Sequence, residues 1–104
     1  MLDPAQLRPD DRVLLIGIPD FAVIAECARR LERGILVAMG EDEAVRQARK
    51  AARHLENVMF VPGAPDEIPW RDGFFTRVID LIGDWPEPER VRSEIARVTT
   101  PAPK

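Results

Sequence analysis

At 104 residues the chain is the size of one small domain, and its 45% apolar content is enough for a real core. The 32% charged residues sum to a net charge of −3, which excludes the clustered basic surplus of a typical nucleic-acid binder. The first residues, MLDPAQLRPDD, lack the basic start and apolar stretch of a signal peptide, and no apolar run approaches the ~18 residues of a membrane span, so a cytoplasmic protein is expected.

Val13–Ile18 is a continuous apolar run bounded by RPDDR and by Gly17-Ile18-Pro19, the pattern of a strand buried on both faces. Asp20 is placed to cap a helix by accepting from first-turn N–H groups. Phe21, Ile24, Ala28 and Leu31 then recur at helical spacing, with Gly34 as a left-handed terminator. Cys27 falls inside that pattern as a small buried thiol. Being the only cysteine, it excludes an internal disulfide and a cysteine metal cluster.

Ile35–Met39 reads as a second buried strand. Glu41 or Asp42 opens a second helix to about Leu55, with Val45, Ala48, Ala52 and Leu55 on one face and Arg46, Arg49, Lys50 and Arg53 on the other. Val58–Val61 is a third strand. The connection PGAPDEIPWRDG follows, its prolines excluding regular pairing. Val78–Ile82 is the fourth strand, and Pro86 and Pro88 lead into a last helix striped by Val91, Ile95 and Val98. The ends, 1–11 and 99–104, are expected to be irregular.

Strands alternating with helices imply one α/β domain over 1–104: a parallel four-stranded sheet with right-handed crossovers and helices on both faces. No internal repeat is present.

Three strings carry a family resemblance: EAVRQARKAA, NVMFVPGAPDEIPWRDGFFTRVI and PEPERVRSEIARVTTPAP. In this order and spacing they resemble the N-terminal half of class I S-adenosylmethionine-dependent methyltransferases of the Rossmann-like kind, from about Arg12 to Pro103. The resemblance implies a three-layer Rossmann-like sandwich with strand order 3-2-1-4. It also implies a cofactor site at Gly17, Pro19, Met39 or Glu41, and Ala64.

At those positions the chain departs from the family pattern. The family's glycine turn resembles G-x-G-x-G; here Gly17 remains, while Pro19 and Phe21 replace the second and third glycines. Proline fixes its backbone and lacks an N–H, and Phe21 is expected to fill space that the cofactor would need. The acidic residue before the first glycine becomes Leu15. The ribose-binding carboxylate aligns with Met39, or with Glu41 if the register shifts by two. The acidic residue after Gly63 becomes Ala64, and an aspartate further on becomes Thr76. With the glycine turn and its Leu15 taken as one, four changed positions in one pocket imply that the cofactor is lost, each unmade hydrogen bond costing about 1–3 kcal/mol.

Other candidates have plainer readings. Asp80 and Asp84 lie near the carboxyl end of strand four, where family ligands sit, but a turn, a cap or an arginine partner explains them better. His54 has no nucleophile or carboxylate placed to work with it. Trp70 and Trp85 are read as packing or as an interface anchor. The arginine-rich face could touch RNA or an acidic partner; Glu41, Asp42, Glu43 and Glu56 flank it, so a solvated face is preferred.

In the family a fifth strand follows, where this sequence reads Pro101-Ala102-Pro103. The edge of strand four is then expected to be open and apolar through Val78, Ile79, Leu81 and Ile82, with Trp85 beside it. Such an edge needs cover. A homodimer or protein partner at that edge or over the last helix is expected, without nucleic acid, membrane or metal. The function so implied is a non-catalytic methyltransferase-like module acting through association, with no cofactor. The alternative is a reduced S-adenosylmethionine-binding subunit or methyltransferase that a partner completes.

Overall fold

The run Val13-Leu14-Leu15-Ile16 is apolar at every position because the strand it forms has a core on each side. Val13 and Leu15 point into one cluster with Ile24, Cys27, Leu36, Val45 and Phe60, while Leu14 and Ile16 point into another with Val37, Met39, Phe75 and Val98. All four of these strand residues are at most 1% exposed. This two-sided burial is the signature of a parallel sheet.

The computed structural model describes residues 4–100. A short 3-10 turn at Pro4–Gln6 precedes β1 (Arg12–Ile16), α1 (Phe21–Arg30), β2 (Ile35–Gly40), α2 (Asp42–Ala51), β3 (Val58–Pro62), β4 (Arg77–Asp80) and α3 (Pro88–Val98). The sheet order is β3-β2-β1-β4, with every pair parallel. Helices α1 and α2 cover one face; α3, Trp70, Phe74 and Phe75 cover the other. The expected sandwich and strand order are therefore present.

Details depart from the sequence reading. Asp20 and Glu41 occupy the N-cap positions of α1 and α2, but neither side chain makes a capping bond. Gly34 has no left-handed backbone. It is required instead because a Cβ there would lie 2.1 Å from the Asp11 carbonyl oxygen. The second helix stops at Ala51, and Leu55 packs from the turn beyond it. The fourth strand ends at Asp80, two residues early.

After α3 the chain swings beside β4. Phe75 N–H donates to the Val98 carbonyl at 2.9 Å and Thr100 N–H donates to the Phe75 carbonyl at 2.7 Å, a parallel bridge between Phe75 and Thr99. Part of the region expected to be irregular is thus paired; residues 101–104 lie outside the described residues.

Candidate functional site

β1 is where the sheet changes direction. From it the chain moves to β2 and β3 under α1 and α2, while β4 lies on its other side and leads to α3 on the opposite face. Ligand crevices of open α/β sheets form outside the strand ends at such a switch. Here a crevice of about 350 Å³ opens at the carboxyl ends of β1, β2 and β3, with Ile82 and Trp85 from the loop after β4 as its far wall.

Three glycines shape it. Gly17 ends β1 with φ +110, and its N–H donates to the Met39 carbonyl at 2.8 Å. A Cβ at Gly17 would sit 3.3 Å from Ile82 Cγ1, a tight contact at a backbone angle that itself favours glycine. Gly63 N–H donates to the Gly40 carbonyl at 3.1 Å, and the Met39 sulfur lies 3.2 Å from where a Gly63 Cβ would be. The strand ends are thereby drawn together, leaving backbone and small side chains at the crevice floor.

Asp80 fixes the far wall. Its Oδ1 accepts from the N–H groups of Ile82 and Gly83 at 3.0 and 2.9 Å, and its Oδ2 accepts from Trp85 Nε1 at 2.9 Å. The side chain thus ends the strand, builds the turn through Gly83 at φ +77 and holds the indole. Among the described residues no arginine pairs with it. The sequence signal was present in Asp80-Leu81-Ile82-Gly83, an aspartate set to bond backbone N–H groups ahead of a glycine.

Of the residues expected to hold a cofactor, Gly17, Met39, Glu41 and Ala64 all line this crevice. Glu41 stands exposed at the carboxyl end of β2, and its carboxylate makes no hydrogen bond or ion pair among the described residues. Ala64 lies in a tight turn, its carbonyl accepting from Glu67 N–H at 3.1 Å. Pro19 lies outside the crevice, in a hollow between α1 and α2.

Two expectations are overturned. Phe21 does not fill the crevice: it is 41% exposed, and its ring lies 5.8 Å from that of His54 beyond α2. As the first residue of α1 it lines the hollow between α1 and α2 and is not among the residues that line the crevice. Thr76 is not in the pocket at all. Its hydroxyl accepts from Arg12 N–H at 2.9 Å and donates to Asp11 Oδ1 at 3.0 Å, at the opposite end of β1. The four changes attributed to one pocket therefore do not share it.

The expected interface residues also divide. Val78 and Trp85 pack against the α3-side core, and Ile79 and Leu81 against the α1-side core. Ile82 alone is strongly exposed, at 53%. Among the described residues, β4 pairs with β1 alone beyond the Thr99 bridge, which leaves its outer backbone edge unpaired, while Val78, Ile79 and Leu81 are half-buried. Trp70 packs among Phe74 and Phe75, with ring centroids 5.6 and 5.5 Å away. Burial pushes the Cys27 thiol above its ordinary range, as suits an inert core residue.

Chemically, the crevice offers apolar walls, an anchored indole and one free carboxylate. Among the described residues no nucleophile or histidine lines it. No cluster of potential metal ligands occurs among the described residues, and no helix among them is long and apolar enough to cross a membrane.

This is the architecture of Rossmann-like methyltransferases, and comparison with known proteins agrees. No family model matches the sequence. The chain is 31% identical over 83 residues to "Putative methyltransferase YrhH" of Bacillus subtilis (strain 168), covering 78% of this chain and 46% of that protein. A crystal structure of a SAM dependent methyltransferase from Aquifex aeolicus superposes with a TM-score of 0.85 at 22% identity, over 95% of this chain and 59% of that one. The YcgJ protein from Bacillus subtilis gives a TM-score of 0.78 at 22% identity, over 92% and 42%. The chain has the Rossmann-like fold of these methyltransferases and resembles a putative methyltransferase over most of its own length. It spans about half the length of the relatives it matches.

Proposed function

We propose that the chain is an S-adenosylmethionine-type ligand-binding module of methyltransferase-like fold, whose methyl-acceptor side comes from elsewhere. The observation that carries this reading is the open crevice at the β1–β3 ends, with Gly17 at its floor and the unengaged Glu41 carboxylate at its rim. A carboxylate at the end of β2 suits a ribose diol, which presents two O–H donors. Apolar walls and the Trp85 indole suit a purine face. Catalysis by these residues alone is not proposed, because the crevice holds no acid, base or nucleophile beyond Glu41.

A second reading, association without a cofactor, is favoured by a different observation. Among the described residues no lysine or arginine lines the crevice, so a ligand's amino-acid carboxylate would have no charged partner there. The N–H groups of Gly17, Gly63 and Leu81 are already bonded within the protein. On this reading the open upper edge of β4, with Ile82 beside it, receives a strand from a partner or second copy.

Calorimetric titration with S-adenosylmethionine and S-adenosylhomocysteine separates the two. Micromolar binding that Glu41→Ala weakens about tenfold, the value of roughly one hydrogen-bonded contact, supports the first. Absence of binding at millimolar ligand, with a dimer by light scattering, supports the second.

A further inference from the structure

Arg46, Arg49 and Lys50 on α2 and Arg53 in the turn just after it line a cavity of about 390 Å³ together with Val45 and Pro62. Arg49 and Arg53 also line a second hollow that runs on beside Val58, Met59 and Phe60 of β3. The two make one groove between α2 and the outer edge of the sheet. In a chain of net charge −3, four cations gather on this one side. Arg46 pairs with Glu43 at 3.4 Å; among the described residues Arg49, Lys50 and Arg53 make no ion pair. Asp42 is the acidic residue lining the groove.

β3 ends the sheet on this side, and its pairing decides what it leaves free. The Asn57 carbonyl accepts from Leu36 N–H at 2.9 Å, and Gly63 N–H donates to the Gly40 carbonyl at 3.1 Å. Alternation along a parallel strand therefore points the N–H groups of Met59 and Val61 toward β2 and those of Val58 and Phe60 outward. The outward Phe60 carbonyl is already covered by Arg49 Nη2 at 2.9 Å. Pro62 has no N–H and closes the edge at its end. Met59, 44% exposed, adds apolar surface at the same edge.

We propose that this groove binds an acidic extended segment of another protein, laid beside β3 as an added edge strand with its carboxylates opposite Arg49, Lys50 and Arg53. Backbone pairing to Val58 and Phe60 supplies register, and the cations select for acidic side chains. Arg49 moves from the Phe60 carbonyl to an incoming carboxylate, which frees that acceptor for the new strand. RNA fits less well. Single-stranded nucleic acid needs exposed aromatic faces for stacking, and the groove's aromatic residue, Phe60, is 6% exposed. The inference stands apart from the crevice and does not depend on whether an adenosyl ligand binds there.

The test is fluorescence polarisation with a labelled peptide of alternating Glu and Val, which places carboxylates on one face of a strand. Binding is expected to weaken as salt is raised, and by about tenfold or more in the double variant Lys50→Glu/Arg53→Glu. Arg90→Glu on α3 is expected to leave it unchanged. Lys50→Gln/Arg53→Gln removes charge without adding repulsion and carries the same expectation at smaller size, should the reversal unfold the chain. Hydrogen exchange at the Val58 and Phe60 N–H groups is expected to slow when the peptide is bound. The proposal is overturned by no peptide binding at low salt, by binding that leaves those two amides unprotected, or by equal or tighter binding of an oligouridylate of the same charge.

Discussion

The two ends of the same sheet are built on opposite principles. At the amino end, Asp11 is the buried charged side chain, 8% exposed, and each of its oxygens is engaged. Oδ2 accepts from Arg8 N–H at 2.9 Å and lies 3.8 Å from Arg77 Nε, while Oδ1 accepts from the Thr76 hydroxyl. Arg12 bonds the Phe74 carbonyl, and the Asp11 carbonyl accepts from Ile35 N–H at 3.1 Å. At the carboxyl end the strands run out into Gly17, Gly40 and Gly63, and the Glu41 carboxylate meets no partner among the described residues. One end uses its polar side chains to close the sheet. The other leaves backbone, space and a carboxylate, which is what a ligand site requires.

The sharpest way to break that contrast is to add one methyl group at each end. In Gly34→Ala the new Cβ would stand 2.1 Å from a backbone oxygen that the Ile35 hydrogen bond holds in place. β1 and the start of β2 must separate, and a loss of about 3 kcal/mol or more is expected. In Gly17→Ala the new Cβ meets the end of the Ile82 side chain at 3.3 Å, which can swing, so what remains is the strain of φ +110, about 1–3 kcal/mol. Urea unfolding of both variants measures the difference. Equal losses would mean that the carboxyl end is as tightly closed as the amino end.

Next in size is Asp80→Ala, which removes the three bonds that hold the crevice wall. A loss of about 1–2 kcal/mol is expected, since the freed N–H groups are close to water. The more telling change is local. In a Trp70→Phe background, Trp85 emission is expected to shift to the red as the indole loosens, and any crevice ligand to weaken. An unshifted spectrum would show that packing alone, not Asp80, positions Trp85.

The fold was legible in the sequence because it rests on the strongest signals available. Continuous apolar strands and amphipathic helices gave the layers, and alternation gave the parallel sheet. The site was less legible for three particular reasons. Family alignment puts Thr76 in the pocket, but it immediately precedes β4, and in a parallel sheet such a residue lies at the end away from the crevice. Phe21 was different, because helical periodicity fixes which residues share a face but not which way the first residue of α1 turns. Asp80 ended β4 early through side-chain bonds to Ile82 and Gly83, and an apolar run from Val78 to Ile82 does not show such local competition.

A smaller effect concerns pH at the far side of α3. Arg97 hydrogen bonds hold the Glu94 carboxyl below its ordinary value of 4.5, with burial pulling the other way and Ile68 N–H adding to the lowering. A carboxyl depressed in the folded state contributes its stability above the unfolded value, and loses it as pH falls through the folded one. Glu94→Gln is therefore expected to lower stability at neutral pH by no more than about 1 kcal/mol, since the pair is partly solvated. The deficit should shrink as pH falls below 4.5 and vanish once the folded carboxyl is itself protonated, read from urea midpoints across an acid series. A deficit that persists in acid would assign Glu94 a packing role only.

The smallest expected effect is at Phe21, and it bears most directly on the crevice. If this ring closed the cofactor space, Phe21→Ala would open a void, cost several kcal/mol and admit a ligand that the parent chain excludes. The ring instead lies 41% exposed against His54, so its removal forfeits only a partly hydrated contact, about 1 kcal/mol or less. Binding of S-adenosylhomocysteine, measured by calorimetry on both proteins, is expected to agree within about twofold, which is under 0.5 kcal/mol. Affinity gained by the alanine variant alone would return Phe21 to the crevice, and with it the reading in which bulk at the glycine turn has shut the site.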